Sequence, residues 1–247
     1  MISFESKSVL VTGGSRGIGK GIALRFAELG AARVAIGYLR NDRAAEETAA
    51  ELAALGAEPV LLRGNVGDPG KAAALVAEAG PLDVVVSNAA TGVIRPVLEL
   101  EEKHWDWTVN GNARALLTLA RHAAPSMPDG SAIVAISSLG SVRVLADYAV
   151  VGVSKAALEA LVRYLAVELA PQGIRVNAVS AGLVETGALD YFEKRGEMLS
   201  FYRGRTPAGR LVEPRDVADA VCFLASPAAA MIRGQTVVVD GGYSVLA

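Results

Sequence analysis

The stretch Ser8-Val9-Leu10-Val11-Thr12-Gly13-Gly14-Ser15-Arg16-Gly17-Ile18-Gly19 decides the fold. A short apolar run leads into a glycine-rich turn, and the turn leads at once into the helical periodicity of Gly17 to Leu29. Glycines let a backbone turn sharply and come close to a pyrophosphate, and the start of a helix offers unpaired amides and the positive end of its dipole. A glycine pattern alone is weak, but here a strand precedes it, a helix follows and a second strand-like run begins at Arg33. That context makes a dinucleotide-binding βαβ unit the expectation, with Gly13, Ser15, Arg16, Gly17, Ile18 and Gly19 around the phosphates.

The same alternation continues outward. Apolar runs at 8–11, 33–38, 58–62, 82–86, 132–136, 174–179 and 236–239 read as buried parallel strands, and between them helical periodicity runs over 17–29, 43–55, 71–79, 105–124, roughly 153–170 and 214–224. The expected fold class is α/β, a doubly wound parallel sheet of the Rossmann type with about seven strands and helices on both faces. No repeat or linker divides it, so residues 1–247 are expected to form one domain. One stretch departs from the pattern: 187–212 carries Tyr191, Phe192, Met198, Phe201 and Tyr202 among several charges. It reads either as an inserted substrate lid or as an ordinary solvated helix pair over the sheet edge.

Composition excludes several classes. With 24 Lys and Arg scattered against 26 Asp and Glu, the formal net charge of -2 gives no basic field for nucleic acid. No apolar run reaches the 18 residues a bilayer requires, and the amino terminus has no signal-peptide pattern, so no membrane partner is expected. Cys222 is the lone cysteine, which fits a reducing cytoplasm, and with His104 and His122 as the sole histidines no metal site is expected. His104, Trp105 and Trp107 are expected to start and pack a helix, and Cys222 to lie in the core.

Cofactor choice is readable after the second strand, at Gly37-Tyr38-Leu39-Arg40-Asn41. An NAD site would present a carboxylate to the adenosine ribose there. Position 37 or 38 has none, and Arg16 and Arg40 can both reach a 2′-phosphate, so NADPH is the expected cofactor. The alternative for Arg40 is a surface residue capping a loop.

Gly13-x3-Gly17-x-Gly19 resembles the glycine spacing of the short-chain dehydrogenase/reductase family, and further motifs appear in that family's order along essentially the whole chain. Asn65-Val66 stands where adenine is contacted. Ser87-Asn88-Ala89-Ala90 resembles the stretch after the fourth strand, Asn112 the helix asparagine, Ser137-Ser138 the end of the fifth strand, and Asp240-Gly241-Gly242 the last strand's end. Gly182-x3-Thr186 resembles the segment beside the nicotinamide, with Ala181 in place of the usual proline. The resemblance implies cofactor contacts from Asn65, Val66, Asn88, Ala89, Ala90, Lys155, Gly182 and Thr186. Asn112 reads as structural, holding a helix kink or a water.

Ketone-reducing members carry Tyr-x3-Lys, yet position 151 is Val151. The nearest tyrosine, Tyr148, gives Tyr-x6-Lys, and a helix reaching that far would put Tyr148 and Lys155 on one face. This spacing resembles enoyl-acyl carrier protein reductases, and Ser138 in place of a further tyrosine, with Glu101 to Trp107 and Thr206 to Arg210, resembles their group III. The resemblance implies reduction of an enoyl thioester, with acyl carrier protein as partner, in fatty acid or polyketide synthesis by a cytoplasmic homotetramer. Tyr148 would donate to the enolate oxygen, while Lys155 would bind the nicotinamide ribose and lower the phenol pKa. Ser138 either assists Tyr148, binds the thioester oxygen or satisfies the strand end. Two rivals stay open: a carbonyl reductase of the same family, and a non-catalytic NADPH-sensing module.

Overall fold

The computed structural model describes residues 2–185 and 195–246. Seven strands, β1 (Ser8–Thr12), β2 (Arg33–Tyr38), β3 (Glu58–Arg63), β4 (Val84–Ser87), β5 (Ala132–Ser138), β6 (Arg175–Ala181) and β7 (Thr236–Val239), form one sheet in the order β3-β2-β1-β4-β5-β6-β7. Every pairing is parallel, so all the strands present their carboxyl ends at one edge. The helices are α1 (Gly17–Glu28), α2 (Asp42–Ala54), α3 (Pro69–Ala79), α4 (Glu102–Val109), α5 (Ala115–Ala123), α6 (Ala149–Glu168), α7 (Arg195–Arg205) and α8 (Pro214–Ala225).

Both faces of the sheet are buried because side chains alternate along each strand. Val9, Val11 and Val86 face Ile22, Phe26 and Val221 of α1 and α8, whereas Leu10, Val85 and Ile133 face Leu75, Leu116 and Leu158 of α3, α5 and α6. Two sequence boundaries shift. The helix expected over 105–124 is split by a π-turn at Asn110–Arg114, and α6 starts before the expected 153, at Ala149. Among the described residues no helix is long and apolar enough to cross a membrane.

Candidate active site

The glycine turn is held tight from three sides. Gly13 and Gly17 adopt φ of +66° and +56°, a region that disfavours side chains. A Cβ on Gly19 would collide with the Gly13 carbonyl oxygen, and one on Gly14 would lie 2.7 Å from Ile36 Cγ2. Asn88, just beyond β4, donates Nδ2 to the carbonyls of Thr12 (2.9 Å) and Gly13 (3.2 Å), and Thr12 Oγ1 accepts from the Asn88 and Ala89 amides.

Arg16 precedes α1 as its N-cap and supplies no side-chain cap, and among the described residues no side chain bonds the first amides. Its guanidinium and that of Arg40 are exposed, with no hydrogen-bond or ion-pair partner among the described residues. Asn65 Oδ1 accepts from the Gly67 amide at 3.0 Å. Gly182 keeps β6 close to the end of β7, where a Cβ would lie 2.9 Å from Asp240 Cα. Unclaimed amides, a close glycine cradle and two free guanidiniums fit a phosphorylated dinucleotide. Ala90 is exposed at the same sheet edge, and Thr186 lies outside the described residues.

Ser138 ends β5; Tyr148 comes to it from the N-cap position of α6, and Lys155 reaches the same strand from within α6. The Tyr148 hydroxyl donates to Ser138 Oγ at 3.5 Å, which also accepts from the Gly140 amide at 3.3 Å. The phenol ring lies on Gly140, where a Cβ would sit 2.5 Å from Tyr148 Cε1. The one-face expectation for Tyr148 and Lys155 needs correction: Tyr148 is the N-cap of α6, at φ −103° and ψ 12°. Asp147 before it is left-handed, at φ +58°, so a turn aims the phenol and a helical face does not.

Lys155 is buried and donates Nζ to the Ile136 carbonyl at 2.8 Å. Burial pushes its ammonium down to about 8, against the opposing field of Glu159. A lowered phenol pKa is not found. Burial raises Tyr148 above the usual phenol value, and the Ser138 hydrogen bond offsets this only in part. The phenol is therefore neutral near pH 7 and can donate a hydrogen bond.

Val151 is buried against Gly92, where a Cβ would collide with Val151 Cγ2. The position of the usual phenol is thus filled by aliphatic packing. Asn112, within the π-turn, accepts from Thr91 N at 2.9 Å and donates to Thr91 O at 3.0 Å and Ser154 Oγ at 2.8 Å. It is structural, as read from the sequence.

A cleft of about 450 Å³ opens beside Tyr148, lined by Arg95, Val97, Leu145 and Gly152 among others. From the 187–212 stretch, Tyr202 stacks on Tyr243 at 4.7 Å between centroids, and burial with that neighbour pushes its phenol up to about 12. Met198, Leu199 and Tyr202 pack with Leu183 and Leu211 while Phe201 and most of the rest of α7 are exposed; 187–194, with Tyr191 and Phe192, lies outside the described residues. His104 starts α4 by accepting from the Glu101 amide at 3.1 Å. Trp105 and Trp107 do not pack as expected: each is about half exposed because α4 lies at the surface. Cys222 is buried, which pushes its thiol up and fits a core role.

Residues 13–244 match the family model described as Enoyl-(Acyl carrier protein) reductase. The chain belongs to the short-chain dehydrogenase/reductase family. It is 39% identical to a 1-cyclohexenylcarbonyl-CoA reductase of Streptomyces collinus, over 96% of this chain and 87% of that protein. It is 36% identical to an L-rhamnose 1-dehydrogenase (NAD(P)(+)) of Sphingomonas sp. (strain SKA58), over 98% and 97% of the two chains. A solved short-chain dehydrogenase of Burkholderia cenocepacia J2315 in complex with NADP has 32% identity and a TM-score of 0.91, covering 98% of this chain and 99% of its own.

In this short-chain dehydrogenase/reductase the fold brings Ser138, Tyr148 and Lys155 to one sheet edge with the glycine turn and Asn88. Sequence reasoning missed Gly140 and Gly152 as the seat of the phenol, and Glu159, whose Oε1 accepts from Ser137 Oγ at 2.5 Å. Glu159 left a legible signal: a lone acid in the apolar run Ala156-Ala157-Leu158-Glu159-Ala160-Leu161-Val162, one turn beyond Lys155. The Gly140 contact left none, because it depends on how the turn before α6 folds back.

Proposed function

We propose that this short-chain dehydrogenase/reductase is an NADPH-dependent enoyl thioester reductase that reduces the 2,3 double bond. The observation that carries the reading is the exchange at the top of α6, where Val151 fills the usual acid's position and the neutral Tyr148 phenol stands against Ser138. NADPH, when bound, supplies a hydride. Hydride addition to the β-carbon sends negative charge to the thioester oxygen, more remote from the acceptor carbon than the oxygen of a ketone would be. Tyr148, displaced one turn from Lys155 relative to a ketoreductase phenol, donates a hydrogen bond to that oxygen, and the α-carbon then takes a proton from solvent water. Ser138 holds the phenol's direction. Lys155 binds the nicotinamide ribose hydroxyls, and Arg16 and Arg40 bind the 2′-phosphate and favour NADPH over NADH.

The family model's description names an acyl carrier protein and the name of the Streptomyces relative a coenzyme A thioester, so the carrier is left to experiment. Turnover of a crotonyl thioester on each carrier, against a β-ketoacyl thioester, tests the reading; faster reduction of the ketone would sink it. Carbonyl reduction is the second reading, favoured by the relative named as a rhamnose dehydrogenase and by the approach of Tyr148 to Ser138. A non-catalytic NADPH sensor would need neither Tyr148 nor a buried Lys155. Assembly as a homotetramer through α4 to α6 is supported by Trp107, Leu117, Tyr164 and Val167, all exposed. The single cysteine fits a cytoplasmic setting.

A further inference from the structure

Glu159 is 8% exposed, and the chemistry above gives it no task. It lies one turn beyond Lys155 on α6, which puts the two side chains on one face of the helix. Ser137 at the end of β5 donates to its Oε1 at 2.5 Å. Beside Ser137 in the sheet register stands Ser180 of β6, whose buried hydroxyl has no partner among the described residues. The Glu159 carboxylate, the Ser137 and Ser180 hydroxyls and the Lys155 ammonium are thus buried polar groups on the side of the sheet that α6 covers, where Leu158 and Val162 otherwise make an apolar layer with Val176 and Ala178.

An ammonium taken out of water needs an opposite charge, and a single backbone carbonyl supplies only a dipole. The Ile136 carbonyl is the hydrogen-bond acceptor of Lys155, and Glu159 is the charged group whose field supports it. The other groups near the pair do not replace it. Tyr148 is neutral near pH 7, and Asn112 is committed to Thr91 and Ser154. On β6, Arg175 is tied to the Gly130 and Ala225 carbonyls. Glu102, Lys103 and Asp106 of α4 and Arg121 and His122 of α5 are exposed or half-exposed. We infer that Glu159, fixed by Ser137, is a positioning residue that keeps Lys155 in its ammonium form and aims it at the end of β5.

The proposal rests on Lys155 serving turnover, as in the function proposed above, but not on the choice of enoyl over carbonyl substrate. In the full-length protein with NADPH and a crotonyl thioester, Glu159→Gln is expected to move the alkaline limb of kcat/KM down by about one pH unit. NADPH binding at pH 6 should stay near that of the parent. A folded variant with an unmoved limb overturns the proposal. A second arm needs no turnover. Lys155→Met leaves the Glu159 carboxylate buried without its counter-charge, so the double variant Lys155→Met/Glu159→Gln is expected to melt above Lys155→Met alone. A double variant melting at or below Lys155→Met also overturns it. Failure of the enoyl reading would appear instead as absent turnover of the parent protein, with the melting order intact.

Discussion

The Tyr148 hydroxyl stands 3.5 Å from Ser138 Oγ while its ring lies close enough to Gly140 that even a methyl group there would collide with it. Direction comes from the serine and position from the glycine. A long hydrogen bond of this kind is the geometry of a donor that tightens once a charged oxygen enters the site.

Removing the phenol oxygen should therefore affect turnover and spare cofactor binding. Tyr148→Phe is expected to lower kcat on a crotonyl thioester by about 10²-fold or more, with NADPH affinity by fluorescence titration unchanged. Parent-level turnover would remove Tyr148 from the mechanism.

Gly140→Ala tests the seat. Its Cβ would sit 2.6 Å from Tyr148 Cδ1, so the ring must move by about an ångström, and misplacement on that scale can cost about 10²-fold in kcat. Circular dichroism and NADPH titration should match the parent. A normal kcat would mean that the ring relocates at no cost.

Arg16→Ala and Arg40→Ala address the 2′-phosphate. Each is expected to raise KM for NADPH about tenfold while leaving that for NADH nearly unchanged. Equal effects on both cofactors would assign the arginines to the shared diphosphate, or to folding.

Lys155 also makes stability depend on pH. Burial lowers its pKa from 10.5 to about 8, so between those values the unfolded chain holds a proton that the cofactor-free folded protein has released. Unfolding then costs more as pH rises through that window, by roughly 3 kcal/mol in all. Compared with the parent by urea denaturation, Lys155→Met should lack this rise. Parallel curves for the two proteins would place Lys155 in water.

Much of this was legible in the chain because it follows from local rules. The turn Gly13 to Gly19 announced a strand, a tight bend and a helix start, and the Val-, Ile- and Leu-rich runs announced a sheet covered on both faces; parallel pairing and helices on both sides follow from that pattern. The missing phenol at Val151 was legible through the resemblance to ketone-reducing family members, whose Tyr-x3-Lys would place a tyrosine there. Tertiary structure decided how the remaining tyrosine is used. Asp147 turns left-handed and stops α6 from reaching Tyr148 as a helical residue, Gly140 comes back from the end of β5 to carry the ring, and burial holds the phenol protonated. It also set Glu159 beside Ser137, a contact 22 residues apart in sequence. Sequence periodicity records which face of an element is apolar. Burial and through-space charge depend on which elements close over a side chain, and only the packed sheet and helices determine those.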